Sequence, residues 1–191
     1  MSRLTIPLLV LVLLFASAKV FAASQTYKLD PTHTYVNFAV SHLGFSTMYG
    51  RFDKTSGQFS MDLTAKTASV DVTIRTSSIN TGLEKRDDHL RSPDFFNAVE
   101  FPVTAFKSTA VKFDGDAPTR VSGNLTLLGV TKPVTLTIAA FKCGVNPMNK
   151  KTMCGIDATA SIKRSDFGMK YALPGVADEI KLFIEAEGYK N

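Results

Sequence analysis

A chain of 191 residues that is 45% hydrophobic is long enough for one folded domain that buries roughly 70% of its unfolded surface. Its formal net charge of +5 comes from 22 Lys and Arg against 17 Asp and Glu. Those basic residues are scattered, without the stripe or interleaved aromatics of a nucleic-acid binder, and nucleic acid is excluded as a partner.

The first element is a targeting segment. Met1-Ser2-Arg3 supplies a basic start, and Leu4 to Ala16 is almost without polar side chains, the pattern of a secretory signal peptide. Val20-Phe21-Ala22 offers small exit positions for a cut after Ala22, with a cut at Ala23 nearly as suitable and Lys19 unusual so near the site. The apolar run is shorter than the ~20 residues of a bilayer-spanning helix. No cysteine lies nearby to carry a lipid. Residues 1–22 are therefore expected to be cleaved, leaving 23–191 as a single domain. Loss of Arg3 and Lys19 leaves 20 basic residues against 17 acids, a net charge of +3.

Period-two alternation then recurs, the pattern of half-buried strands. Between Thr34 and His42 the residues Val36, Phe38 and Val40 share one face. The same alternation gives Phe59, Met61 and Leu63; Val70, Val72 and Ile74; and, after a stretch from Phe101 to Phe113 whose phase slips, Leu125 and Leu127. Val134, Leu136 and Ile138 follow, then Ile156, Ala158, Ala160 and Ile162, then Ile180, Leu182 and Ile184. That makes eight strands, with turn signals at Gly115, Gly129 and Asn146-Pro147. Between Asn80 and Asn97 the charge density rises. Ser92-Pro93 there looks like an N-cap followed by a first-turn proline, so two short helical turns are predicted.

Short strands and little helix describe an all-β antiparallel meander that closes into a barrel or folds into a sandwich. Eight strands make the smallest barrel that holds a ligand, although small barrels are also filled by side chains. The opposite face carries Asn37, Ser41, Asp71, Thr73, Thr135, Thr137, Asp157 and Lys181. This wet outside argues against stable membrane insertion as a β-barrel.

Cys143 and Cys154 form an isolated close pair, most simply a disulfide in an oxidising compartment. The loop it closes is worth roughly 3 kcal/mol in the chain-entropy model. A redox pair would be spaced Cys-x-x-Cys, and a metal site needs more ligands. His33 and His42 are nine apart and face opposite sides of a regular strand, so no metal site is expected. Asp87 and Asp88 read as a solvated helix face partnered by Lys85, Arg86 and Arg91.

Taken in order, Asp30-Pro31-Thr32-His33 through His42-Leu43-Gly44-Phe45, then Tyr49-Gly50-Arg51-Phe52, Arg86 through Phe96, and Gly123 through Leu136 closely resemble the YceI-like family of bacterial periplasmic proteins. Cys143 to Cys154 and the later Arg164 to Met169 resemble its subgroup with a cysteine pair. The resemblance implies a lipocalin-like eight-stranded antiparallel β-barrel with an internal tunnel. The tunnel would hold a polyisoprenoid chain, such as that of ubiquinone or a polyprenyl phosphate, or another long-chain lipid. Candidate lining residues are Val36, Phe38, Val40, Val72, Ile74, Leu125, Leu127, Leu136, Ile138, Ile162, Leu182 and Ile184, with Phe45, Phe95 and Phe96 at the mouth. His42, His89 and Arg91 are candidates to meet a quinone or phosphate head group. A bound lipid or quinone is expected, no other cofactor is required, and catalysis is not expected. Whether the protein forms a homodimer is left open. A structural or stress-response interaction module and a small cavity enzyme are the alternatives.

Overall fold

The computed structural model describes residues 24–191; the expected signal peptide, residues 1–22, lies outside them. The elements are β1 (Gln25–Leu29), β2 (Tyr35–His42), β3 (Ser46–Phe52), β4 (Thr55–Asp62), β5 (Thr67–Arg75), β6 (Ile79–Asn80), α1 (Glu84–Arg91), β7 (Val103–Asp114), β8 (Ala117–Leu127), β9 (Val130–Val145), β10 (Thr152–Lys163) and β11 (Val176–Lys190). Antiparallel pairing runs β1-β4-β5-β7-β8-β9-β10-β11 and returns from β11 to β1, closing an eight-stranded barrel. β2, β3 and β6 extend this ring from β11.

The ring has the predicted number of strands but a different membership, because β1 rather than β2 meets β4. β1 and β3 lack the alternation that marks the other strands of the sheet, for a physical reason. β1 buries only Tyr27 and Leu29, and β3 mixes Ser46, Thr47, Gly50 and Arg51 into its seven residues, so neither carries an extended alternation. β1 and β2 are one path broken at 30–34. Asp30 accepts hydrogen bonds there from Thr32 N–H at 2.9 Å and Thr32 Oγ1 at 2.7 Å. Buried Thr34 donates to Glu187 O at 3.2 Å. β11 thus pairs with β10 along its length, with β2 over one half and with β1 over the other.

Three bulges turn the inward phase. The β7–β8 ladder skips Thr109 between Ser108 and Ala110 and Thr119 between Pro118 and Arg120, and the β9–β10 ladder skips Ala139 between Ile138 and Ala140. A skipped residue reverses which side chains face inward beyond it. Phe106 and then Val111 consequently both face the interior, as do Ile138 and then Phe141. The bulge in β7 is the predicted slip of phase.

Only one α-helix forms between 80 and 97. Ser92 ends it instead of starting a second: its N–H donates to His89 O at 3.1 Å, and its backbone is extended, the conformation that a following proline favours. Pro93 to Phe96 form turns. Asp87 is buried, not solvated; its carboxylate accepts hydrogen bonds from Thr81 N–H and Oγ1, while Arg86 binds Thr81 Oγ1 and O. These bonds fasten α1 across the preceding turn. Asp88 alone keeps the expected role, exposed and paired with Arg91 at 2.6 Å.

The barrel therefore has a helix end, where α1 and the loop 164–175 lie, and a disulfide end. At the latter, Cys143 and Cys154 face each other directly across β9 and β10 and are bonded, with Cα atoms 4.0 Å apart.

Candidate functional site

Inward alternation produces a cavity. Its wall is formed by Leu29, Val36, Phe59, Met61, Val72, Ile74, Phe106, Val121, Leu125, Leu136, Phe141, Ile156, Leu182, Ile184 and their neighbours. Among the described residues, the only hydrogen-bonding side chains on that wall are Thr34 and Thr55. The cavity has a volume of about 140 Å³.

The helix end is plugged. Phe52, Ile74 and Ile79 are buried together with Leu90 and Phe96 against them, and Phe96 meets Phe52 edge-on at 5.5 Å. Phe167, 2% exposed, fills the opposite side within the cluster of Phe106, Leu125, Leu127 and Val134. Phe167 is held in place by Arg164, which is also 2% exposed. Its guanidinium donates to Ala177 O at 3.0 Å, Met169 O at 3.1 Å and Val176 O at 2.8 Å. Burial pulls the Arg164 pKa below the usual arginine value, and the charge of Asp178 opposes that effect. The Asp178 carboxylate is itself held by Ser165 Oγ at 2.7 Å and Ser165 N–H at 2.8 Å, which keep it below the usual carboxylate range.

Of the lining residues predicted from sequence, Val36, Val72, Ile74, Leu125, Leu136, Ile138, Leu182 and Ile184 stand on the cavity wall. The other seven do not. Phe38 and Phe96 belong to the plug, while Leu127 and Ile162 pack within or against the Phe167 cluster. Val40 is half-buried beyond the wall near the end of β2. Phe95 is buried at the helix end with its ring 5.1 Å from His89 and 5.2 Å from Tyr171. Phe45 is 91% exposed at the tip of the β2–β3 turn. These departures share a cause: the cavity occupies the middle and the disulfide half of the barrel, whereas α1 and the 164–167 turn fill the helix half. Phe59, Met61, Phe106, Phe141, Ile156 and Thr55 line it instead. For Phe59, Met61 and Ile156 the signal was the alternation itself.

None of the head-group candidates reaches the cavity. His42 is exposed at the end of β2 opposite Ser46 and Val176. His89 Nε2 lies 2.8 Å from Asp94 Oδ2. Arg91 is engaged by Asp88 and by Ile79 O. Elsewhere, Asp30, His33 and Glu187 converge at the break between β1 and β2. Both carboxylates approach the same imidazole nitrogen, at 2.8 Å and 3.9 Å. The hydrogen bond to Asp30 raises the His33 pKa. Burial pushes Asp30 upward, but the bonds from His33 and Thr32 outweigh it and hold the carboxyl below its ordinary value.

Thr55 is 3% exposed, and its hydroxyl has no hydrogen-bond partner among the described residues. Since an unsatisfied buried hydroxyl costs about 1–3 kcal/mol, Thr55→Val is expected to stabilise the protein by about 1 kcal/mol. A urea titration checks this: the midpoint should rise with the slope unchanged.

The profile of the YceI-like domain matches residues 27–188. The chain is 39% identical over 180 residues to Protein YceI of Escherichia coli O17:K52:H18, covering 94% of this chain and 93% of that protein. The crystal structure of Burkholderia cenocepacia BcnA superposes with a TM-score of 0.70 at 25% identity, covering 83% of this chain and 98% of BcnA. A polyisoprenoid binding domain from Saccharophagus degradans, implicated in plant cell wall breakdown, shares the fold at a TM-score of 0.66 and 18% identity, covering 87% of this chain and 99% of that domain. Barrel, cavity and sequence agree: the chain belongs to the YceI-like family.

Proposed function

We propose that this protein is a periplasmic carrier that holds a polyisoprenoid chain, of the ubiquinone or polyprenyl phosphate type, or a similar long-chain lipid, and performs no chemistry on it. The observation that carries this reading is the apolar cavity, whose wall among the described residues offers no titratable side chain and only two hydroxyls. A ligand for such a wall is a chain, not a polar metabolite. The polyisoprenoid-binding neighbour from Saccharophagus supports the same ligand class.

Energetics favour carriage over permanent storage. Burying a CH₂ is worth about 0.8 kcal/mol relative to water, but a bilayer offers the chain a comparable gain. The net preference is small, so uptake and release need no energy source. Purification from the periplasm of the source organism followed by organic extraction and native mass spectrometry is expected to reveal a co-purified long-chain lipid. Repeated recovery of empty protein, with a crystal structure whose interior is filled by side chains, would sink the reading.

A further inference from the structure

Two phenylalanines of the cavity wall lie against glycines on other strands. A Cβ built on Gly188 of β11 would stand 2.6 Å from Cε1 of Phe59 on β4, and one built on Gly123 of β8 would stand 2.4 Å from Cζ of Phe106 on β7. Both rings line the cavity. Phe59 is also fixed from the side by Tyr27, whose ring is parallel within 2° at 4.8 Å between centroids. A third pair, Phe38 over Gly50, belongs to the plug and not to the wall.

With any side chain at Gly188 or Gly123, the ring would have to lift from the wall toward the lumen. An isoprenoid carries a methyl branch on every repeat and needs a wider bore than a straight alkyl chain of equal length. We propose that Gly188 and Gly123 are the specificity-determining positions of this barrel, seating Phe59 and Phe106 flat so that the cavity admits methyl-branched chains. The proposal rests on the carrier reading and extends it to which chains are accepted.

Gly188 is the cleaner site to test. A Cβ there meets backbone only at 3.1 Å, from Lys28 O, whereas at Gly123 the carbonyl of Lys107 stands 2.6 Å away. At Gly188 it is the Phe59 ring that must yield. The experiment is a competition titration of the full exported chain against a fluorescent alkyl probe, using geranylgeraniol and straight-chain eicosanol. Gly188→Ala is expected to weaken geranylgeraniol about tenfold, the effect of one methylene-sized misfit in an apolar pocket, with a smaller loss for eicosanol. Adding Phe59→Leu should restore the branched chain. A folded Gly188→Ala protein that binds both chains as wild type does, or loses both equally, overturns the proposal while leaving the carrier reading intact. Wild-type protein that takes up neither chain overturns the carrier reading and this proposal with it. Should Gly188→Ala fail to fold, Phe59→Leu alone decides: geranylgeraniol should bind severalfold more tightly relative to eicosanol, and an unchanged ratio overturns the proposal.

Discussion

Arg164→Ala is expected to destabilise the protein by about 4 kcal/mol, from three lost charge-assisted hydrogen bonds and the carbonyls left behind. At roughly 2–4 °C per kcal/mol for a domain of this size, the melting temperature should fall by about 8–16 °C, measurable by circular dichroism. The reasoning starts from burial. Arg164 is 2% exposed, and each of its three bonds goes to a main-chain carbonyl, of Ala177, Met169 or Val176. These carbonyls belong to the loop after Phe167 and to the start of β11. Their partner is removed by the substitution, and water replaces it only where the loop opens. Because Met169 and Phe167 are buried beside the guanidinium, opening exposes apolar surface as well. Lysine keeps the charge but not the planar fork, so Arg164→Lys should recover less than half of the loss. A change below 1 kcal/mol in Arg164→Ala would mean that packing of Phe167 alone holds the loop.

The second large effect concerns the disulfide. Replacing both Cys143 and Cys154 by alanine is expected to cost about 3 kcal/mol, the chain-entropy value for a short loop, and to lower the melting temperature by roughly 6–12 °C. The bond closes a separation of 11 residues between strands already in register. It also anchors a buried cluster, since Cys154 is 1% exposed and packs with Tyr27, Met61, Phe59, Phe113 and Phe141. Reduction of the intact protein under denaturing conditions should add two daltons, and reduction without denaturation should be slow because Cys154 is shielded. A double variant as stable as the parent would place the full stabilisation in the strand pairing.

Strand content and the identity of much of the wall were legible because period-two alternation of apolar residues has few physical explanations besides a half-buried strand, whereas closure into a barrel rather than a sandwich followed only from the family resemblance. Legibility stopped where that logic has nothing to act on. β1 is too short to show a period. Phe141 faces inward only because Ala139 is skipped, and no residue type at 138–141 announces a bulge. Ser92-Pro93 carries the chemistry of a helix start, yet the same pair also ends a helix, and the preceding turns from Glu84 decided between them. Arg164 was visible only as part of a motif, because its partners are backbone carbonyls and leave no trace in composition. The division between cavity and plug depends on how α1 and Phe167 fold back into the barrel, a long-range outcome that strand patterns do not encode.

The seam between β1 and β11 joins Tyr27 to Lys190, and the Asn191 amide donates to Thr26 O at 3.0 Å. Contacts so distant along the chain are entropically the costliest to form and slow the folding of β proteins. Until they form, the inward faces of the other strands belong to an open, curling sheet. Inside and outside are distinct only while the last strand holds the first, so the compartment depends on pairing between two strands far apart along the chain.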